Sequence, residues 1–240
     1  MESAAQSTQG IYQDILVNYL ISMARTVESS VDRALSAILR SDLDDAEQAP
    51  GEIFLLEPRI NEMEMVIDDH AVRMLRDGHL TAEDIRQVVA TLKITNDLER
   101  IGDLAVNLAE RVVSLAQMGP VARPLELEPM VEAVGAMVKK SLGALIFRSL
   151  VLAGEVLESD DLVDRYRDQI FERLMTSMTE RPAEIGPNMQ FVLASRYLER
   201  MADHATNIAE DIIFWVRGLD VRHGRGLEAA EKSAPVIENS

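Results

Sequence analysis

The sequence feature that most constrains the fold is an internal repeat that carries oxygen-bearing side chains at a fixed spacing. The segment Leu-Glu-Arg-Ile-Gly-Asp at residues 98–103 returns as Leu-Glu-Arg-Met-Ala-Asp at residues 198–203. Each copy continues in the same register, into Asn-Leu-Ala-Glu at 107–110 and Asn-Ile-Ala-Glu at 207–210. Self-similarity of this kind predicts a duplicated architecture, in which one structural unit occurs twice along the chain.

The polar positions of each copy follow the period of an α-helix. Because a helix turns about 100° per residue, four polar side chains of each copy fall within roughly 80° of one another. The first stripe comprises Glu99, Asp103, Asn107 and Glu110, and the second comprises Glu199, Asp203, Asn207 and Glu210. The opposite sides carry Leu98, Ile101, Ala105, Leu108 and Val112 in the first copy and Leu198, Met201, Ala205, Ile208 and Ile212 in the second. The sequence therefore predicts two amphipathic helices whose acidic stripes point away from the core.

The acidic stripes have two interpretations. Carboxylate and amide oxygens suit hard cations such as magnesium, manganese, calcium or iron, so each stripe is a candidate metal site. Like charges four residues apart cost about 0.2 to 0.5 kcal/mol per pair, and their occurrence twice favours a use for them. Water, phosphate or an unassigned neighbouring helix would supply the remaining ligands. The alternative is an acidic face that is only solvated, and the spacing by itself leaves both interpretations open.

These segments resemble the signature of the PhoU family, which comprises regulators associated with the bacterial phosphate-specific transport system. The resemblance is carried by Asn-Asp-Leu-Glu-Arg-Ile-Gly-Asp-Leu-Ala-Val-Asn-Leu-Ala-Glu-Arg at 96–111 and by Tyr-Leu-Glu-Arg-Met-Ala-Asp-His-Ala-Thr-Asn-Ile-Ala-Glu-Asp at 197–211. The segment Glu-Pro-Arg-Ile-Asn-Glu-Met-Glu at 57–64 resembles the middle of the second helix in that family. Together these segments extend the resemblance over nearly the whole chain.

The resemblance implies a fold, a ligand and partners. It implies two three-helix bundles whose third helices bind multinuclear clusters of divalent or transition metals. Iron, manganese, magnesium and zinc are the candidate metals, and phosphate is a candidate bridging ligand. It also implies repression of the phosphate-starvation response through the ATPase of a phosphate importer and a sensor histidine kinase. A homodimer is the expected assembly.

The rest of the sequence favours an all-α protein of two tandem three-helix bundles. Aromatic residues make up only 4% of the chain although 47% is hydrophobic, which favours helical packing of aliphatic side chains. The predicted helices span about 11–40, 52–76, 82–118, 127–158, 161–178 and 188–217. Breaks are predicted at 41–51, where Pro50-Gly51 follows an acidic run, at Pro58, and at Pro182–Pro187.

Gly119-Pro120 and Arg123-Pro124 predict the boundary between the two bundles, because two prolines and a glycine within six residues cannot continue a helix. The expected domains are therefore 1–121 and 122–218, followed by a flexible tail at 219–240 that has little periodic apolar content.

Charge and composition exclude several classes of function. The formal net charge of −17 excludes a general role in nucleic-acid binding, which depends on clustered Lys and Arg. It also disfavours anionic lipid and a bare orthophosphate site. Arg148 interrupts the longest apolar stretch and the start does not have the pattern of a signal peptide, so no membrane insertion and a cytoplasmic location are expected. The absence of cysteine excludes disulfides and thiolate metal sites.

The sequence favours a regulator over an enzyme, because it contains no Walker loop, serine-elbow or His-Glu-x-x-His motif. Two alternatives remain: a metal-dependent phosphohydrolase built on the acidic stripes, and a structural helical adaptor. His204 has two interpretations, as an extra ligand of the second site or as a partly buried histidine. Trp215 and its neighbours likewise form either a partner-binding patch or a packed helix end.

Overall fold

The fold consists of α-helices throughout the part of the chain that the structure describes. This structure is a computed structural model, and it describes residues 2–40, 48–77, 80–119 and 122–221. Its elements are α1 (Glu2–Leu39), α2 (Gln48–Asp77), α3 (Ala82–Met118), α4 (Leu127–Phe147), α5 (Leu150–Leu157), α6 (Asp160–Glu180), a 3₁₀ turn (Pro182–Glu184) and α7 (Ile185–Arg217). These ranges contain no strand, and none of their helices is both long and apolar enough to cross a bilayer. The all-α prediction is confirmed.

The helices form two bundles in chain order. Helices α1, α2 and α3 pack against one another, and α4 to α7 form the second group around α7. The apolar sides predicted for α3 and α7 line these cores: Ile101, Leu108, Met201 and Ile208 are fully buried. Burial of an aliphatic side chain of this size contributes about 1.5 to 3 kcal/mol, so the apolar stripes orient both long helices. The acidic stripes consequently lie on the outer sides of α3 and α7.

The helix predicted over 127–158 is divided in two. Arg148 adopts the left-handed conformation with φ 49° and ends α4. Ser149 then caps α5, its hydroxyl accepting a hydrogen bond from the Leu152 backbone N–H at 3.3 Å. No glycine or proline marks this break, so the sequence pattern does not reveal it. The Arg148 guanidinium lies 4.7 Å from the centre of the Trp215 ring, a contact that offsets part of the backbone cost.

The break predicted at 41–51 ends earlier than expected, and the one at Pro58 does not occur. Helix α2 begins at Gln48, so Pro50 lies in the first turn, where the missing N–H is not needed. Pro58 lies inside α2, which continues to Asp77. Its ring leaves the carbonyl of Phe54 without a helical donor, and Phe54 is exposed, so water can supply one.

The two bundles pack through α3 and α7, which run antiparallel. Lys93 near the start of α3 pairs with Asp211 near the end of α7, with Nζ and Oδ1 3.0 Å apart. Arg111 near the end of α3 donates to Gln190 near the start of α7 at 3.1 Å. The two copies of the repeat are therefore joined directly.

Two further predictions concern the C-terminal part of the chain. Trp215 is buried, which confirms the packed interpretation of this helix end. The boundaries 1–121, 122–218 and 219–240 stay predictions. Val221 is buried against the core, and residues 222–240 lie outside the described part of the chain.

Candidate functional site: two acidic clusters

The first acidic cluster consists of Glu64 and Asp68 on α2 and Glu99 and Asp103 on α3. Each helix contributes two carboxylates four residues apart, and this spacing places both on one helical face. The two faces meet because α2 and α3 approach closely at Gly102. A β-carbon at this position would lie 3.0 Å from the Ile60 side chain. The glycine of the repeat thus lets α2 pack next to the acidic stripe.

The carboxylates of the first cluster affect one another's ionisation. Burial, followed by the negative charge of Asp103, raises the pKa of Glu99 above its ordinary value. Burial and the nearby charge of Asp68 likewise raise the pKa of Glu64. Arg100 opposes both shifts, with its Nε 3.2 Å from Glu99 Oε2. The cluster therefore concentrates more negative charge than one guanidinium neutralises.

Two acceptor oxygens beside the first cluster have no hydrogen-bond partner among the described residues. One is Glu99 Oε2, which is buried and whose contact with Arg100 lacks hydrogen-bond geometry. The other is the buried Oδ1 of Asn61, whose amide nitrogen donates to Glu57 at 2.6 Å. Asn61 lies one turn before Glu64 on α2. Buried oxygens left without donors are the ligand type that a hard cation takes.

The second acidic cluster consists of Asp160 and Asp164 on α6 and Glu199 and Asp203 on α7. Its arrangement repeats the first, with two carboxylates four residues apart on each of two neighbouring helices. Partial desolvation of the carboxyl group, followed by the charges of Glu199, Asp160 and Asp164, raises the pKa of Asp203 to about 6, although the residue as a whole is exposed. Burial and Asp164 also raise the pKa of Asp160. The charge repulsion is therefore reproduced in the second copy.

The second cluster contains an arginine that the first does not. Arg167 on α6 donates through Nη1 to Glu199 Oε1 at 2.6 Å, and the same nitrogen lies 2.9 Å from Asp164 Oδ1. Its Nε and Nη2 also donate to Asp168. Arg167 follows Asp164 by three residues, and the residue at the same offset from Asp68 in α2 is Ala71, which carries no charge. The second cluster is thus partly neutralised from within.

Four of the eight predicted site residues lie in these clusters: Glu99, Asp103, Glu199 and Asp203. Asn107 is half-buried further along α3, and Glu110 is exposed and pairs with Arg111 at 2.9 Å. Asn207 donates to Asp97 at 3.2 Å across the α3–α7 interface, and Glu210 is half-buried on α7. Glu110 and Asn207 thus bond outside the clusters, and the role of all four residues as ligands stays a prediction.

His204 also lies at the interface between the bundles. Its Nδ1 is 2.7 Å from Asp97 Oδ1, and its side chain is mostly buried. This placement agrees with the interpretation of His204 as a partly buried histidine. The ring lies one residue from Asp203 but bonds to the other bundle.

The repeat in the sequence does not indicate the other half of each cluster, namely Glu64, Asp68, Asp160 and Asp164. The signal was present, since each pair repeats the four-residue spacing of Glu99 and Asp103 on the preceding long helix. Other acidic residues nearby, such as Glu62, Asp69 and Asp161, obscure this spacing in the sequence. Only the packing of the helices shows which carboxylates face α3 or α7.

The side chains do not form a finished metal centre. Within the described ranges, no three acidic or histidine side chains converge as a ready-made metal site. The clusters nevertheless provide what a hard cation requires: repelling carboxylates with raised pKa values and, at the first cluster, two buried oxygens without donors.

Comparisons with known proteins place this architecture in a family. The PhoU domain matches residues 20–112 and 127–212, one match for each bundle. The phosphate-specific transport system accessory protein PhoU homolog of Pseudomonas aeruginosa is 36% identical over 207 residues, which cover 86% of this chain and 84% of that protein. The PhoU homolog of Aquifex aeolicus is 34% identical over 212 residues, covering 88% and 94%.

Solved structures show the same fold. The crystal structure of PhoU from Pseudomonas aeruginosa superposes with a TM-score of 0.82 at 33% identity, covering 88% of this chain and 99% of that one. The phosphate transport system regulatory protein PhoU from Streptococcus pneumoniae gives a TM-score of 0.78 at 22% identity, covering 89% and 99%, and this likeness concerns the fold alone. The matched domains, the identities and the shared fold agree, and the chain belongs to the PhoU family.

Proposed function

We propose that this protein is a regulator of phosphate uptake that binds cations at its two acidic clusters. The observation that carries the proposal is the occurrence of the same four-carboxylate arrangement in both bundles of a PhoU-family chain. The related proteins are named as accessory and regulatory proteins of phosphate transport, which supports a regulator rather than an enzyme.

In the first cluster, Glu64, Asp68, Glu99 and Asp103 would hold the cation, with Asn61 adding an amide oxygen. In the second, Asp160, Asp164, Glu199 and Asp203 would do so once the Arg167 guanidinium turns away. Iron, manganese, magnesium and zinc are the candidates, and water or a bridging phosphate would complete the ligand shell. Neutralising the carboxylates removes the repulsion across each helix pair. The helices then become more rigid and present a fixed surface to which a protein partner binds.

The proposed partners are the ATPase subunit of a phosphate importer and a sensor histidine kinase, and the proposed effect is repression of the phosphate-starvation response in the cytoplasm. We also propose a homodimer. Helix α2 supports self-association because Phe54, Met65 and Val72 are exposed and, at about 100° per residue, lie within roughly 20° of one another on its outer face.

Cation binding is tested by elemental analysis and calorimetric titration of the purified protein with manganese, iron or magnesium. Asp103→Ala combined with Asp203→Ala should reduce bound cation at least tenfold while the helical circular dichroism stays unchanged. Glu62→Gln, which changes an exposed carboxylate of α2 outside the cluster, is the matched control. Equal cation content in the double variant and the wild type would contradict the cation sites.

Regulation is tested separately in a host that lacks its own copy of the gene. Wild-type protein should keep a phosphate-starvation reporter repressed in phosphate-rich medium, and the Asp103→Ala/Asp203→Ala variant should release it. Binding of the importer ATPase should weaken when a chelator is added. Repression and partner binding that ignore both the variant and the chelator would instead support a structural adaptor.

A further inference from the structure

A groove between α1 and α2 has a polar lining of basic and neutral side chains, without a carboxylate. It encloses about 520 Å³, and its polar lining consists of Asn18, Ser22, Arg25, Thr26, Ser29 and Arg59. Two apolar side chains complete the wall, and no carboxylate lines it. The chain has a formal net charge of −17, whereas the side chains that line this groove carry a net positive charge from two arginines.

The two guanidinium groups of this groove have no protein partner within the described part of the chain. Arg25 and Arg59 are exposed, and within the described part of the chain neither makes an ion pair or a hydrogen bond. By contrast, Arg173, which lines a groove of the second bundle, binds Glu126 through two hydrogen bonds of 2.8 and 2.6 Å. The donors of Arg25 and Arg59 therefore remain available to a ligand.

The adjoining part of the same surface shows the usual arrangement. Arg25 and Ser29 line this adjoining groove as well, and it contains the carboxylates of Glu28, Asp32 and Glu52. Asp32 pairs with Lys139 at 3.2 Å, and Glu52 pairs with Arg33. Within the described part of the chain Glu28 makes no ion pair, and it lines this adjoining groove and not the basic one.

The chemistry of the lining defines the ligand. Two planar guanidinium forks present up to ten N–H donors and two positive charges, the Asn18 amide adds two N–H donors, and Ser22 and Ser29 add hydroxyls. The Thr26 hydroxyl is already used, since it donates to the Ser22 carbonyl at 3.0 Å. A phosphoryl group carries about two negative charges and three acceptor oxygens at neutral pH, which matches this set better than a single carboxylate does.

We infer that the α1–α2 groove binds a doubly charged phosphoryl group through Arg25 and Arg59. The group comes either from a small phosphorylated compound or from a phosphorylated side chain of a partner, since both present the same oxygens. The open shape of the groove admits either source. This site is separate from the acidic clusters and does not depend on cation binding there.

The test is calorimetric titration of the full-length protein in a chelator at about 0.15 M salt, where the screening length is about 8 Å. The probes are pyrophosphate, a phosphoserine peptide and the same peptide with glutamate in place of phosphoserine. Arg25→Gln and Arg59→Gln should each weaken binding at least tenfold. Arg165→Gln removes an equally exposed arginine from the second bundle and should leave binding unchanged.

The probes distinguish the two sources and the outcomes that overturn the inference. Tighter binding of pyrophosphate indicates a small phosphorylated compound, and tighter binding of the phosphoserine peptide indicates a protein partner. The inference is wrong if neither phosphorylated probe binds at millimolar concentration, if the glutamate peptide binds as tightly, or if Arg165→Gln weakens binding as much as the groove variants do. Because the chelator removes cations, failure of the cation sites would not affect the result.

Discussion

At the residue scale, the two acidic clusters share their carboxylates but differ in their counter-charges. Arg100 faces Glu99 and Asp103 in the first, whereas Arg167 is shared by Asp164, Asp168 and Glu199 in the second. Asp203 is not among the partners of Arg167, and its pKa is raised to about 6. The carboxylates within one cluster therefore differ in their surroundings, and the raised pKa of Asp203 comes first from partial desolvation and then from the neighbouring carboxylates.

Asp203→Asn should stabilise the cation-free protein at pH 7.5. The pKa of Asp203 is about 6 in the folded protein, above its ordinary value of 3.8, so the folded state holds the proton more tightly than the unfolded chain. Stability is consequently lost as the pH rises from about 4 to about 6, and asparagine removes this penalty. The gain should be about 1 kcal/mol after allowance for solvent screening of an exposed group, and it should vanish below pH 4.

The measurement is the melting temperature in a chelator at pH 4 and pH 7.5, where a rise of about 2 to 4 °C is expected at the higher pH only. Glu62→Gln serves as the control for loss of one surface charge. If the wild type is more stable than Asp203→Asn at pH 7.5 without cation, the pKa of Asp203 is not raised in the folded protein.

At the element scale, caps determine where the long helices begin. Thr81 and Asp84 form a capping box at the start of α3, in which each side chain accepts a hydrogen bond from the other residue's backbone N–H, at 3.2 and 2.8 Å. This cap lies just before the helix that carries Glu99 and Asp103. At α5 the same task falls to Ser149 after the left-handed Arg148. The start of α3 agrees with the helix predicted over 82–118, whereas the start of α5 at Ser149, inside the helix predicted over 127–158, was not predicted.

Thr81→Ala should lower the free energy of unfolding by about 1 kcal/mol, because the first turn of α3 loses a side-chain acceptor for its exposed N–H groups. Thr81→Ser keeps the hydroxyl and should remain within about 0.5 kcal/mol of the wild type. Chemical denaturation followed by circular dichroism measures both. Equal losses in the two variants would show that the methyl group of Thr81, and not the cap, is responsible.

At the scale of the whole molecule, a polar contact set joins the two bundles. Asp97 on α3 is almost fully buried, and its Oδ1 accepts from Asn207 and lies 2.7 Å from His204, both on α7. Lys93 and Asp211 add an ion pair on the same interface. Because buried polar groups are costly when unpaired, these contacts specify how the two copies of the repeat meet.

Asp97→Ala should lower the free energy of unfolding by about 2 kcal/mol, since it leaves the mostly buried His204 without its partner and removes the acceptor of Asn207. Combination with His204→Ala should cost less than the sum of the two single changes, which a double-mutant cycle measures. Asp69→Ala, which breaks an exposed pair with Arg73 within α2, is the control and should cost less than about 1 kcal/mol. Additive losses for Asp97 and His204 would show that the two side chains are not coupled.

The sequence by itself determined the helical class, the duplication, the buried sides of α3 and α7, and the carboxylates Glu99, Asp103, Glu199 and Asp203. These features follow from local periodicity, because the spacing of apolar residues selects the face that leaves water. The tertiary structure alone decided which acids of α2 and α6 complete the clusters, that Asn207 turns to Asp97, and that Arg25 and Arg59 share one groove. Those outcomes depend on packing between helices far apart in the chain, where a neighbour's position, and not the residue type, determines what a side chain contacts.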